Sequence, residues 1–264
     1  MPAMDTERLD QVVLHVDDRG AGDGATLVFA NSLGTDLRIW DPLMAHLPPA
    51  WRQIRYDKRG HGLTAAPATP WTIDDLVDDL ARLLDARGTG PAIVVGLSVG
   101  GLIAIGLAAA RPDLVRGLVL ADTAAKIGSD EIWNPRIEAV ETGGMAAVAD
   151  ATMERWFSAG FRADPARLAP WRMMLTRTDP AGYVTTSRAI RDTDYRARAA
   201  ALSVPAIAVV GEEDGATPPA LVRETAGMIA GCEFHEIRQA GHIPCVEQPA
   251  VLGRLISAFV ARLA

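Results

Sequence analysis

The chain has 264 residues, 49% of them apolar, and a formal net charge of −7. That is enough apolar material for one sizeable core, with room for an insertion, and no segment is polar enough to stay disordered. The acidic balance and the lack of a basic block argue against nucleic acid and anionic membranes as partners, so any anionic substrate needs a local cation.

In chain order, short apolar β-rich runs alternate with longer helical patterns. Strands are expected at Val12–Val16, Thr26–Ala30, Gln53–Tyr56, Ala92–Gly96, Gly117–Ala121, Ala206–Val210 and Glu233–Ile237. Their near-continuous apolar character suits strands buried on both faces. Helices are expected at Asp36–Leu47, Ile73–Arg87, Gly100–Ala110, Pro219–Ala230 and Ala250–Leu263, with Thr72 capping the second and Gly88 stopping it. Gly20 to Gly24 reads as a turn. The alternation breaks between Thr123 and Leu202, a stretch without a convincing strand that contains Trp133, Trp156 and Trp171. The pattern predicts an α/β fold with a mostly parallel, doubly wound sheet. The core is expected over 1–123 and 203–264, and a helical cap insertion over 124–202.

The chemistry concentrates at Gly96-Leu97-Ser98-Val99-Gly100. The pattern alone is weak, but an apolar strand precedes it and a helix follows, which is the setting a nucleophile elbow requires. A nucleophilic serine needs a base. Of the five histidines, His15, His46 and His235 lie within regular elements. His242 stands in a loop after the last strand, where doubly wound sheets gather ligand-binding groups. His61, in Asp57-Lys58-Arg59-Gly60-His61-Gly62, is the runner-up, although that segment reads better as a turn held by Asp57 and Arg59. The acid is expected to be Asp214, with Glu212 and Glu213 beside it and Asp122, ending another strand, as the alternative. The oxyanion hole is expected from the N–H groups of Val99 and Leu33, with Gly34 allowing close backbone approach.

No dinucleotide fingerprint, Walker lysine or zinc-spaced cysteine pair occurs, so neither cofactor nor metal is expected. Met1 to Asp10 lacks the features of a secretory signal, and no apolar run reaches the ~18 residues of a membrane helix. Two cysteines, Cys232 and Cys245, fit a reducing compartment, hence the cytoplasm. Of 26 basic residues only Lys58 and Lys126 are lysines.

Particular segments carry a further resemblance: Ala30-Asn31-Ser32-Leu33-Gly34, Arg55-Tyr56-Asp57-Lys58-Arg59-Gly60-His61-Gly62, Thr123-Ala124-Ala125-Lys126-Ile127-Gly128, Glu154-Arg155-Trp156-Phe157 and Val246-Glu247-Gln248-Pro249. With the elbow, they make the whole chain resemble the 3-oxoadipate enol-lactonases of the α/β-hydrolase superfamily. The resemblance implies ring-opening of 3-oxoadipate enol-lactone to 3-oxoadipate in protocatechuate or catechol breakdown, by Ser98, Asp214 and His242, with Leu33 and Val99 as the hole. One departure is visible. The family pattern carries small polar residues after the histidine, whereas this chain has Ile243-Pro244-Cys245.

The substrate implied is a small anionic lactone, and a buried carboxylate needs a partner. Lys126, Trp133 and Arg136 at the start of the insertion are the expected contacts. The rival readings are a carboxylesterase, a carbon–carbon bond hydrolase or a perhydrolase on the same scaffold, and a non-catalytic small-molecule receptor.

Overall fold

A computed structural model describes residues 4–20, 24–68 and 70–263. The middle three residues of the Gly20–Gly24 turn lie outside them. Eight strands are described: β1 (Thr6–Arg8), β2 (Val13–Arg19), β3 (Thr26–Ala30), β4 (Arg52–Tyr56), β5 (Ala92–Leu97), β6 (Val115–Ala121), β7 (Ala206–Gly211) and β8 (Glu233–Ile237). They form one sheet in the order β1-β2-β4-β3-β5-β6-β7-β8. β2 runs antiparallel to both of its neighbours, and every other pair is parallel.

The central strands β5 and β7 are buried along their whole length, as runs such as Ala92-Ile93-Val94-Val95 require when helices cover both faces. The register places Ala30 beside Gly96, Leu97 beside Ala121, Ala121 beside Val209 and Gly211 beside Ile237. Five parallel strands therefore end at one edge, and the loops that follow them open on one side of the sheet. Strand order reverses between β3 and β5, which makes that edge the crevice of a doubly wound fold.

Apolar periodicity misses two pieces of the sheet, β1 and the second half of β2. There Asp17 stands opposite Arg55 in register and pairs with it, while Asp18 pairs with Arg52 at 2.7 Å. The second half of β2 is thus joined to β4 by charge across the ladder, which an apolar pattern cannot register, and β1 with its three residues is too short to show a period. The single helix expected over Asp36–Leu47 is a 3-10 turn, Leu37–Trp40, followed by a short helix, Asp41–Met44. Pro42 has no N–H to continue the first turn but is suited to the start of a new one. The helix Ile73–Ala86 opens on a complete capping box between Thr72 and Asp75.

Between β6 and β7 the chain makes six helices: Asp130–Gly143, Ala146–Trp156, Ala159–Arg162, Pro165–Thr176, Pro180–Asp192 and Arg196–Ala200. They are tied to the loops at the strand ends. Gly215 N–H donates to the Arg155 carbonyl at 3.2 Å, and Ser158 N–H donates to the Glu247 carboxylate at 3.0 Å. Among the described residues no helix is long and apolar enough to cross a membrane.

Candidate active site

β5 ends at Leu97 and the helix Val99–Ala110 begins two residues later. The chain must reverse within one residue, and Ser98 does this at φ 57°, ψ −118°. A side chain in that region is strained by roughly 1–3 kcal/mol, so the surroundings must hold it. Ser98 N–H donates to the Ala121 carbonyl at 3.0 Å, and its own carbonyl accepts the Thr123 hydroxyl at 2.6 Å. Crowding explains the flanking glycines. A Cβ on Gly96 would collide with the Gly100 carbonyl, and one on Gly100 with the Ala30 carbonyl. β3, β5 and the helix start can approach this closely only without side chains there.

The loops after β7 and β8 bring the other groups in. His242 is buried, and its Nδ1 lies 2.9 Å from Asp214 Oδ2. Asp214 also accepts Ala216 N–H at 2.7 Å, Thr217 N–H at 3.0 Å and the Thr217 hydroxyl at 2.7 Å. Those three donors fix its carboxylate against the imidazole. The His242 loop is held from behind by Glu247, which accepts Gly241 N–H at 2.6 Å and the Ser158 hydroxyl at 2.5 Å.

Asp122 comes close without joining this pair. It sits at the end of β6 with φ 46° and accepts Gly211 N–H at 2.8 Å, while its second oxygen has no partner among the described residues. Burial and then the neighbouring Asp214 push its carboxyl well above the usual range. Ligating atoms of Asp122, Asp214 and His242 lie within 4.8 Å of one another. This is the one trio among the described residues close enough to hold a metal ion. Within it Asp214 Oδ2 is shared between His242 and Thr217, while the Asp122 carboxyl bonds Gly211 N–H.

Ser98 and His242 open on a cavity of about 390 Å³ whose wall also includes Ser32, Leu33, Trp133, Arg136, Arg155 and Thr217. His61 is absent from that wall. Its ring is buried, with Nδ1 3.0 Å from the Arg59 carbonyl, and burial and then Lys58 push it well below an ordinary histidine. The Asp57 segment is indeed a bonded turn: Asp57 accepts Leu37 N–H and Leu63 N–H and meets His15, while Arg59 pairs with Asp79. Glu213 is likewise spent elsewhere, on Ala159 N–H.

The expected carboxylate contacts separate. Lys126 does not line the cavity, because its ammonium bonds the Arg191 carbonyl. Trp133 does line it, but its indole N–H donates to the Ile127 carbonyl at 2.8 Å and is not free for a ligand. Arg136 lines it as a cation, over the faces of Trp133 and Tyr183. Beside it stands Arg155, and both guanidinium groups reach the Thr152 hydroxyl, at 3.3 and 3.2 Å. Burial and then the neighbouring Arg136 pull the Arg155 guanidinium below its ordinary value.

The sequence model of the alpha/beta hydrolase family matches residues 27–255. The chain belongs to that family. Two enzymes of Acinetobacter baylyi align along nearly all of this hydrolase. The first is 3-oxoadipate enol-lactonase 2, with 32% identity covering 98% of this chain and 97% of its own. The second is 3-oxoadipate enol-lactonase 1, with 34% identity covering 94% and 92%. Among solved structures, the enol-lactonase from Burkholderia xenovorans superposes with a TM-score of 0.93 at 38% identity, covering 97% of this chain and all of that one.

Three residues of the hydrolase's site escape motif reading. Thr217 and Glu247 act on the acid and on the histidine loop, and Arg155 supplies the second cation. Arg155 and Glu247 stand in the Glu154-Arg155-Trp156-Phe157 and Val246-Glu247-Gln248-Pro249 segments that carry the resemblance, but neither segment by itself indicates a role for them.

Proposed function

We propose that this hydrolase opens the ring of 3-oxoadipate enol-lactone, within the bacterial breakdown of aromatic acids. The chemistry follows from the groups around the cavity. Ser98 Oγ attacks the lactone carbonyl while His242 takes its proton, and Asp214 holds the imidazole in orientation. The N–H groups of Val99 and Leu33 receive the oxyanion. Collapse breaks the ring C–O bond, and the imidazolium returns its proton to the ring oxygen, which leaves as an enol, a better leaving group than a simple alkoxide. The enol then ketonises, which draws the reaction forward. Water, deprotonated by His242, attacks the acyl-enzyme and frees Ser98 with a second carboxylate on the product.

The observation that carries this reading is the pair Arg136 and Arg155 on the wall shared with Ser98. Neither forms an ion pair among the described residues, and both lean on one hydroxyl. In a chain of net charge −7, two neighbouring cations without a counter-ion supply what the lactone's acetate carboxylate requires. Two unpaired cysteines support a reducing, cytoplasmic setting.

Turnover of the purified protein on the enol-lactone, followed by loss of ultraviolet absorbance, tests the proposal. Wild-type protein is expected to consume it and Ser98→Ala to fail. Arg155→Ala is expected to lower kcat/KM for the lactone by about 2–4 kcal/mol, the range for losing a charge-assisted pair, and to spare p-nitrophenyl acetate. Equal losses on both substrates would remove the arginines from substrate recognition. Lack of labelling by a fluorophosphonate probe would favour a receptor over an enzyme.

A further inference from the structure

Lys58 is fully buried, in a chain with only one other lysine. Among the described residues its ammonium makes no ion pair. It donates instead to a backbone carbonyl, that of Ser32, at 2.5 Å. The same oxygen accepts the Thr35 hydroxyl at 2.9 Å and Thr35 N–H at 3.4 Å. Three donors on one carbonyl are more than a β-to-α turn needs.

The peptide that begins with this carbonyl continues into Leu33 N–H. No cis bond occurs among the described residues, so the carbonyl and N–H of that unit point to opposite sides. Holding the Ser32 oxygen against Lys58 and Thr35 therefore turns the Leu33 N–H away from them. Ser32 and Leu33 both stand on the cavity wall with Ser98. A cation at the oxygen also draws electron density along the amide and strengthens its N–H as a donor, as hydrogen-bonded chains polarise one another in a low-dielectric interior.

We propose that Lys58 is a positioning residue of the oxyanion hole, fixing and polarising the Ser32–Leu33 peptide so that Leu33 N–H receives the negative oxygen of the tetrahedral intermediate. This rests on Leu33 being the donor. The charged groups that face Lys58 are the carboxylates of Asp57 and Asp36, with the His61 ring nearby. Burial pulls the ammonium down to about 7, and the two carboxylates oppose that shift. Negative charge developing on the far side of the peptide favours the ammonium form further. The lysine thus answers the transition state more strongly than the ground state, which is the condition for raising kcat.

Lys58→Met keeps the length of the side chain and removes donor and charge, whereas Lys58→Gln keeps an N–H without charge. Removing an oxyanion donor outright costs on the order of 10²–10³ in kcat. Acting through one donor, Lys58→Met is expected to lose about tenfold in kcat on both the enol-lactone and p-nitrophenyl acetate, with KM little changed. Lys58→Gln is expected to lose about threefold, since part of the polarisation survives.

Inhibition by phenylboronic acid, whose adduct on a serine carries a tetrahedral anion, should weaken by similar factors. Inhibition by 3-oxoadipate, a ground-state ligand of the arginines, should not. A folded Lys58→Met with wild-type kcat and boronate affinity overturns the assignment. So does equal weakening of boronate and product, the mark of a merely structural role. Should Lys58→Met fail to fold, wild-type kcat in Lys58→Gln overturns it alone. Failure of the underlying reading shows separately, as turnover that persists in Ser98→Ala.

Discussion

The edge of the sheet and the helices inserted above it furnish opposite walls of one cavity, and they treat polar groups differently. At the edge the groups that hold the Ser98–His242 loops are bonded locally, although Asn31 Oδ1, His61 Nε2 and Asp122 Oδ2 are buried without partners among the described residues. Asp214 has three donors besides His242, Glu247 has three, and the Ser32 carbonyl has three. In the insertion, Arg136 Nε and the hydroxyls of Tyr183 and Thr186 are buried without partners among the described residues, and two guanidinium groups share one threonine. Preorganised dipoles suit a charge that appears only during reaction. Cations left in surplus suit a charge that arrives with the substrate. On the proposed function, the loops around Asp214, Glu247 and the Ser32 carbonyl are set before binding, and the arginines of the insertion await a carboxylate.

The largest effect expected lies at the edge. Ser98→Ala and His242→Ala should each lower kcat on the order of 10⁴-fold or more, because the three groups work as a unit. The same measurement separates the two aspartates. Asp214→Asn should approach that loss, while Asp122→Asn should cost less than about tenfold, since an amide oxygen can still accept Gly211 N–H. The reverse order, with folding intact, would make Asp122 the working acid.

A smaller effect should mark the insertion. If Arg136 and Arg155 hold one carboxylate, a double-mutant cycle on lactone kcat/KM should be non-additive by at least about 0.5 kcal/mol. Additive losses would mean that the two cations serve different groups. For p-nitrophenyl acetate the coupling should vanish.

Protons offer a further test of the edge. Lys58 titrates near 7 in the fold, against an ordinary value of 10.5. Between those values the unfolded chain binds a proton that the fold does not, so this residue's contribution to stability rises with pH. Melting of the wild type, measured relative to Lys58→Gln, should therefore shift upward from pH 7 to pH 10. A difference that stays constant would place Lys58 in a more polar setting than its burial implies. The smallest effect is expected away from both walls. Thr72→Ala should cost about 1 kcal/mol of stability by opening the capping box, with kcat unchanged. A change in kcat would show that the helix Ile73–Ala86 communicates with the cavity.

Much of this was legible in the chain itself. A buried parallel strand needs an unbroken apolar run, and an elbow needs glycines where backbones touch. Those constraints are local, so β5, Ser98 and the helix after it could be read directly. The order of strand, loop and helix placed His242 and Asp214 at strand ends for the same reason. The choice between Asp214 and Asp122 was tertiary, because both end parallel strands. The fold distinguishes them by bonding His242 to Asp214, whose loop wraps Ala216 and Thr217 around the carboxylate, and by leaving Asp122 on Gly211 N–H. The insertion was opaque for a related reason. Arg136 and Arg155 lie on different helices, nineteen positions apart by number, and no periodicity relates them. Lys126 is equally well placed by sequence, yet in the fold its ammonium bonds the Arg191 carbonyl. Backbone sterics and burial act between neighbours and leave a pattern in sequence. The pairing of long charged side chains is settled by which helices pack together, and only the folded chain decides that.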